Sequence, residues 1–446
     1  MTKTSICKIN RLSRLFQPVH LAPEKIGKES NNVPNSYKNL INYGYIKPLS
    51  TGMFALLPLG LRVIDKLVAL VDNEMSNIGA QKLLLPALTE SSLWKRTKRF
   101  NDNRTELFIL QDRHDKQYIL SPTHEEAICN LLNSIGILPS KYLPLRLYQI
   151  SSKWRDEMKP RLGFLRSKEF IMKDLYTFDS SLEDAQQTYK SVCEAYDNIF
   201  QKIAVGDSGT TGGVMSHEYH YSCNFGEDII CTCPSCQYSV NKNVYKESHC
   251  PECKASLSQH NTAEVGHTFL LDTKYSKPLK ALCREKHVTF PLSMGCYGLG
   301  LSRIFSVSAE ILSTATDLKW PKCLAPFTVC VIPPKAGSKE ESASQYINAI
   351  LEILGEQNID VILDDRTKLT IGNRFVNARA TGFPYVIVIG RSAMNPTPLF
   401  EIHDTYNGKS SEVTMEKIRD YLNIENVTNS STFYVHLSIF DFDYFR

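Results

Sequence analysis

Apolar and polar residues alternate up to Trp154 and apolar residues return at Phe170 and Ile171, which predicts strands at Leu145–Trp154 and Arg166–Phe178, and Arg155, Asp156, Glu157, Lys159 and Arg161 crowd the loop between them. Upstream, Leu61, Ile64, Leu67, Val68 and Val71 recur at helical spacing, so 60–79 reads as a helix, followed by a buried strand at Leu83–Leu88. Residues 91–118 are charged and read as an exposed excursion. A helix is expected from Ser121 to Leu132, and another over 181–200 with Ala185, Tyr189, Val192, Ala195 and Tyr196 on one side. Strands follow at 265–272 and 288–294. Past Pro326 strands and helices alternate: strand 327–332, helix 338–354, strand 359–363, helix 371–381, strand 384–390, then a hairpin and a last helix. Ser338 with Glu341 has the form of a capping box, and Gly355 follows the last apolar residue of that helix.

An arginine and a glutamate at the end of one strand and a phenylalanine on the next suit a nucleoside triphosphate. Arg155 can fork onto a phosphate, Glu157 can accept from an adenine amino group, and Phe170 can stack under the base. Taken alone, these are charges on a hairpin. Two further segments change that: Ile78 through Leu88, and the glycine-rich Met294-Gly-Cys-Tyr-Gly-Leu-Gly-Leu-Ser-Arg303. In this order the three resemble motifs 1, 2 and 3 of the class II aminoacyl-tRNA synthetases. Pro122-Thr-His-Glu-Glu126, Thr210-Thr-Gly-Gly-Val-Met-Ser-His217-Glu218 and Gly266 through Ser276 resemble signatures of the prolyl-tRNA synthetase family.

The resemblance spans about residues 35–425 and implies a fold and an activity. The fold would be an α+β catalytic domain over 35–325, an antiparallel sheet with helices, plus a C-terminal α/β anticodon-binding domain over 326–425. The activity would be activation of L-proline with ATP and Mg²⁺ and transfer to tRNA(Pro), in a homodimer. A carboxylate is already a nucleophile, so attack on the α-phosphate needs positioning and charge neutralisation rather than a general base. By this resemblance Arg155 holds the α-phosphate and the substrate carboxylate, Glu157 and Phe170 the adenine, and Arg303 the γ-phosphate. Thr123 and Glu125 take the proline amine, and His217 and Cys296 close the ring pocket. Ser121 to Glu125 also looks like a helix start with acids in its first turn, and the two readings are compatible. In the C-terminal domain Asp365, Arg366, Lys368 and Arg374 lie on segments that would read the anticodon, or form solvated charged turns. A threonyl or seryl synthetase, and a non-catalytic synthetase-like nucleic-acid-binding subunit, are the competing readings.

Composition adds limits. At 446 residues with 42% apolar and 22% charged residues the chain has length for two or three domains, and no apolar run reaches a membrane span. The net charge of +4 permits nucleic-acid binding without arguing for it. Residues 1–23 carry Lys3, Lys8, Arg11 and Arg14 and no acid before Glu24, the composition of a mitochondrial presequence, and the expected location is the mitochondrial matrix. Of the 13 cysteines, Cys233, Cys236, Cys250 and Cys253 form two Cys-x-x-Cys knuckles, the pattern of a structural Zn²⁺ site, inside a cysteine-rich insertion at 223–263. Bacterial-type relatives carry a large editing domain at that point in the chain, and the interval here is too short for one. The aromatic tail 427–446 matches nothing assignable.

Overall fold

The computed structural model describes residues 10–18, 33–199, 203–205 and 213–426. Most of the leader segment, the Thr210–Gly212 part of one signature and the tail from 427 lie outside these. No described helix is long and apolar enough to cross a membrane. The chain divides into two compact units, one built mainly from 67–307 and one from 308–432 together with 55–66 and residues before 48. Against the expected boundary at 325, residues 35–47, 55–66 and 308–325 thus fall in the second unit. Arg62 and Lys66 illustrate why: both pair with Asp360, at 2.6 and 2.9 Å, and Tyr45 donates to the Thr381 carbonyl at 2.7 Å.

The first unit is organised by a nine-stranded sheet. Its centre is antiparallel, with Leu145–Trp154, Glu169–Asp179, Ser293–Gly300 and Ser258–Asp272 side by side. The helix Leu182–Asp197 covers one face, burying Ala185, Tyr189, Val192, Ala195 and Tyr196; it starts where Ser181 accepts from the Asp184 amide. The insertion is no separate body. Its strands Asp228–Thr232 and Ser239–Asn241 extend the same sheet through Ser258–Asp272.

Two expectations for this unit need correction. Leu83–Leu88 is no buried strand: only Leu85 is covered, Leu84 is 75% exposed and Leu88 46%. Residues 91–118 are no exposed excursion. They fold as short helices and a hairpin around Trp94, Phe100, Leu107 and Ile119, with Arg99 buried beside them. Of its charges Arg99 alone is buried, neutralised by Glu125 and Glu126, which are distant in sequence; Lys95, Arg96, Lys98, Arg104, Glu106 and Arg113 stay exposed. On the helix Pro58–Asn77, Val63 and not Leu61 joins Ile64, Leu67, Val71 and Met75 in the buried stripe.

The second unit carries a six-stranded sheet in the order 10–11, 361–363, 329–332, 385–388, 400–404, 409–413; the first four strands run parallel and the last two antiparallel. The helix Ile371–Thr381 begins at Thr370, which accepts from the Asn373 amide, and ends at Gly382 with φ of 94°. The capping box does not form: Glu341 accepts from the Gly337 amide, Ser338 makes no side-chain bond, and a 3₁₀ turn Glu341–Tyr346 precedes the helix Ile347–Glu356, which contains Gly355. The edge strand Asn10–Arg11 comes from the stretch expected to be a removable leader.

Candidate active site

Cross-strand register decides which side chains meet. Cys296 lies opposite both Phe269 and Tyr176, Gly298 opposite His267 and Asp174, and Gly300 opposite Met172. Alternation therefore puts Met172, Asp174, His267, Phe269, Cys296, Gly298 and Gly300 on one face of the sheet. They line a cavity of about 320 Å³, with Arg155, Glu157 and Phe170 from the hairpin, Thr123 and Glu125 from the helix start, and Arg303. Glycine at 298 leaves that wall open: a Cβ there would meet nothing nearer than 3.7 Å and would project into the cavity.

At one end of the cavity sits an acid. Glu125, 1% exposed, accepts from Thr123 Oγ1 at 2.6 and 2.7 Å and from Cys296 Sγ at 3.1 Å, and pairs with Arg99 Nη1 at 3.1 Å. Burial alone would raise its pKa, but Arg99 and the Thr123 and Cys296 bonds hold it below the ordinary carboxylate range. Beneath lies a polar layer on Asp174, which pairs with Lys153 at 2.7 Å and accepts from Gln149 and Tyr176 at 2.9 and 2.8 Å. Tyr176 in turn accepts from the His124 amide at 2.8 Å, tying that layer to the loop carrying Thr123 and Glu125. Burial and the Lys153 charge push His124 down to about 4, so its ring is neutral.

At the other end are cations. The Arg155 guanidinium stands 5.4 Å from the Phe170 ring centroid, and burial and the nearby Arg303 depress its pKa. Arg303, at the start of the helix Leu301–Leu312, donates to the Glu264 carbonyl at 2.7 Å and lies 3.5 Å from its carboxylate. Burial would raise Glu264, but His267 at 3.1 Å and the Arg303 charge keep it well below the ordinary range. Glu157 accepts from Arg166 Nε at 2.7 Å, which fixes it at the mouth.

Thr123, Glu125, Arg155, Glu157, Phe170, Cys296 and Arg303 are thus brought together, and His217 is not. His217 lies opposite Thr268, on the helix side of the sheet, where its Nδ1 meets Tyr189 Oη at 2.7 Å. His267, one residue from Thr268 and so on the other face, lines the cavity instead, stacked on Phe269 at 4.0 Å. Strand alternation through Gly266–Phe269 was the available signal for it. Asp174, Glu264 and Arg99 went unrecognised; nothing local marks them.

The C-terminal candidates separate likewise. Lys368 is exposed. Asp365 is engaged by the Ser13 amide and hydroxyl at 2.9 and 2.7 Å and by Arg11 at 3.6 Å. Arg366 forks onto Asp364 at 2.8 and 2.7 Å. Arg374 is fully buried, donating to the carbonyls of Asp364 and Pro333 at 3.1 and 2.7 Å, so it supports the loop and presents nothing to an RNA base.

Cys233, Cys236, Cys250 and Cys253 have sulfurs all within 4.8 Å of one another. Both knuckles fold alike: Gln237 N and Lys254 N donate back to the Cys233 and Cys250 carbonyls at 3.0 Å, and both residues take positive φ, 61° and 65°. Cys231, buried on a strand, is outside the group.

The antiparallel sheet that carries this cavity is the core of a class II synthetase. Two family models agree: the tRNA synthetase class II core domain (G, H, P, S and T) matches residues 108–312, and an anticodon-binding domain matches 328–424. The chain is 43% identical over 428 residues to the Mus musculus "Probable proline--tRNA ligase, mitochondrial", covering 92% of this chain and 90% of that protein. It is 39% identical over 382 residues to the like-named Schizosaccharomyces pombe protein, covering 82% and 89%. The chain belongs to the proline--tRNA ligase family, on its mitochondrial branch. In fold it is similar to prolyl-tRNA synthetase of Cryptosporidium parvum complexed with L-proline and AMP (TM-score 0.71, 15% identity, covering 88% of this chain and 75% of that one).

Proposed function

We propose that the cavity activates L-proline with ATP and that the chain then transfers the prolyl group to tRNA(Pro), as a mitochondrial proline--tRNA ligase. The observation that carries this reading is the polarity of one cavity, with two mutually repelling arginines at one end and a caged glutamate at the other. Proline is itself a dipole: its secondary ammonium goes to Glu125 and Thr123, and its carboxylate turns toward Arg155. Cys296 and the apolar edge of Phe269 flank the ring. The carboxylate oxygen attacks the α-phosphorus and pyrophosphate leaves; Arg155 and Arg303 neutralise the charge that grows in the transition state. Phe170 supports the adenine, and Glu157, steadied by Arg166, accepts from its amino group. Glu264, a carboxylate that lines the cavity beside Arg303 and is held ionised, would hold the Mg²⁺ that shields the phosphates.

The C-terminal domain would meet the tRNA, with Lys368, and Asp365 and Arg366 beside it, on its loop. Four thiolates around Zn²⁺ sit about 3.8 Å apart in a tetrahedron, so the cluster suits a closed structural site with no position left for catalysis. Leu84 and Leu88, bare in the motif 1 segment, suit burial against a second copy, as the homodimer reading requires. ATP–pyrophosphate exchange with each of the twenty amino acids tests the assignment. Proline should dominate; exchange driven best by threonine or serine would refute it.

A further inference from the structure

Arg99 lies outside every synthetase motif, yet it is 4% exposed and lines the cavity. Its Nη1 contacts Glu125 at 3.1 Å and Glu126 at 3.3 Å, and Glu126 also accepts from Thr97 Oγ1 at 2.8 Å. The guanidinium stands 4.6 Å from the Trp94 ring and 5.5 Å from the Tyr275 ring. The arginine is therefore held by a second acid and two aromatic rings, and offers Glu125 a buried cation. We propose that Arg99 is the positioning residue for proline selection, fixing the Glu125 carboxylate in its ionised form so that it faces the substrate's secondary ammonium. The physical need is plain. A carboxyl this deeply buried, without a partner, takes up a proton, and a neutral acid cannot pair with an ammonium. Arg99 meets that need at Oε2, while Thr123 donates to both oxygens and Cys296 to Oε1, and Glu125 lines the cavity.

This inference rests on the proposed role of Glu125, so both residues are varied. Pyrophosphate exchange is measured for Glu125→Gln, Arg99→Lys and the double variant Arg99→Gln with Glu125→Gln. Lysine keeps the charge and loses the planar guanidinium that lies near Trp94 and Tyr275 and aims Nη1 at both acids, and a charge-assisted bond of this kind is worth about tenfold or more. Arg99→Lys should raise the KM for proline about tenfold, with the KM for ATP and kcat within about threefold. Since Arg99 acts through Glu125, the double variant should match Glu125→Gln in proline KM. Adding Glu126→Gln to the double variant removes the second buried carboxylate, which loss of Arg99 otherwise leaves unpaired, so this charge-balanced triple variant, expected to match Glu125→Gln in proline KM, reports even where Arg99→Lys does not fold. An unchanged proline KM in Arg99→Lys, equal rises for both substrates, or a double variant much worse than Glu125→Gln would overturn the role of Arg99. A proline KM unaffected by Glu125→Gln would instead sink the underlying assignment of the amine site.

The N-terminal stretch carries a second inference on its own contacts. Asn10 and Arg11 pair in parallel with Ile362 and Leu363, Leu12 is 6% exposed, Ser13 donates twice to Asp365, and Gln17 donates to the Tyr43 carbonyl at 2.9 Å. Cutting at residue 23 would strip an edge strand, bare its partner and leave Asp365 without these donors. We infer that mitochondrial processing ends no later than Asn10, so that residues 10–17 stay with the anticodon-binding domain. The full chain is imported into isolated mitochondria and the N-terminus of the mature protein is read by mass spectrometry. A mature chain beginning at or before Asn10 supports the inference, and one beginning beyond Asn10 overturns it.

Discussion

Replacing Arg155 with alanine should separate catalysis from stability in this protein. The guanidinium contacts no acid at salt-bridge distance among the described residues; its surroundings are the Phe170 ring at 5.4 Å, the repelling charge of Arg303, and the partly offsetting carboxylates of Glu264, Glu106 and Glu157. In the folded, empty protein it contributes little: a cation–π contact of this kind is worth about 0.5–1 kcal/mol, and relief of repulsion works the other way. In the transition state the same group neutralises charge on the α-phosphate and carboxylate, and loss of such a contact costs about 3–5 kcal/mol, or 10²–10⁴ in rate. The variant should therefore lose pyrophosphate exchange by that factor and unfold within about 1 kcal/mol of wild type. Exchange at saturating proline and ATP, beside a thermal or urea melt, makes the comparison. Exchange within threefold of wild type would remove Arg155 from the chemistry, and a large stability loss would show that it serves the fold.

Arg374→Ala should behave in the opposite way, because it strands buried carbonyls: about 3 kcal/mol or more of stability lost and pyrophosphate exchange unchanged, whereas Lys368→Ala should raise the KM for tRNA without either effect, as melts and aminoacylation kinetics will read. Purified protein should carry about one zinc per chain by elemental analysis, and chelation should loosen the 228–262 region toward protease while leaving exchange intact. His124 has a folded pKa depressed to about 4, below its unfolded value, so its contribution is complete above about pH 6.5 and is lost as the pH falls toward 4. His124→Asn should flatten that part of the stability–pH curve, and an unaltered slope would show the ring protonates freely in the fold.

The hairpin of Arg155, Glu157 and Phe170, the Thr123–Glu125 pair and the glycine-rich run ending at Arg303 were legible in the sequence because each lies in a short segment that resembles a family motif, and local hairpin, helix-start or strand geometry keeps its members together. The same holds for the four cysteines, whose knuckles close over single turns, and for the helix Ile371–Thr381, whose cap and terminal glycine are adjacent in the chain. What only the tertiary structure decided was long-range. Register across three strands placed His267 in the cavity and turned His217 to the helix side, since a side chain's face is fixed by its partner strand and not by its own segment. Burial of a charge depends on where its counter-charge lies, so Arg99 read as solvent-exposed until Glu125 and Glu126 appeared beside it, and Arg374 read as a ligand-facing arginine until its carbonyls did. The N-terminal residues gave the same lesson: composition marked them as a leader, but a strand is made by the neighbour it pairs with, and for Asn10 and Arg11 that neighbour is some 350 residues away.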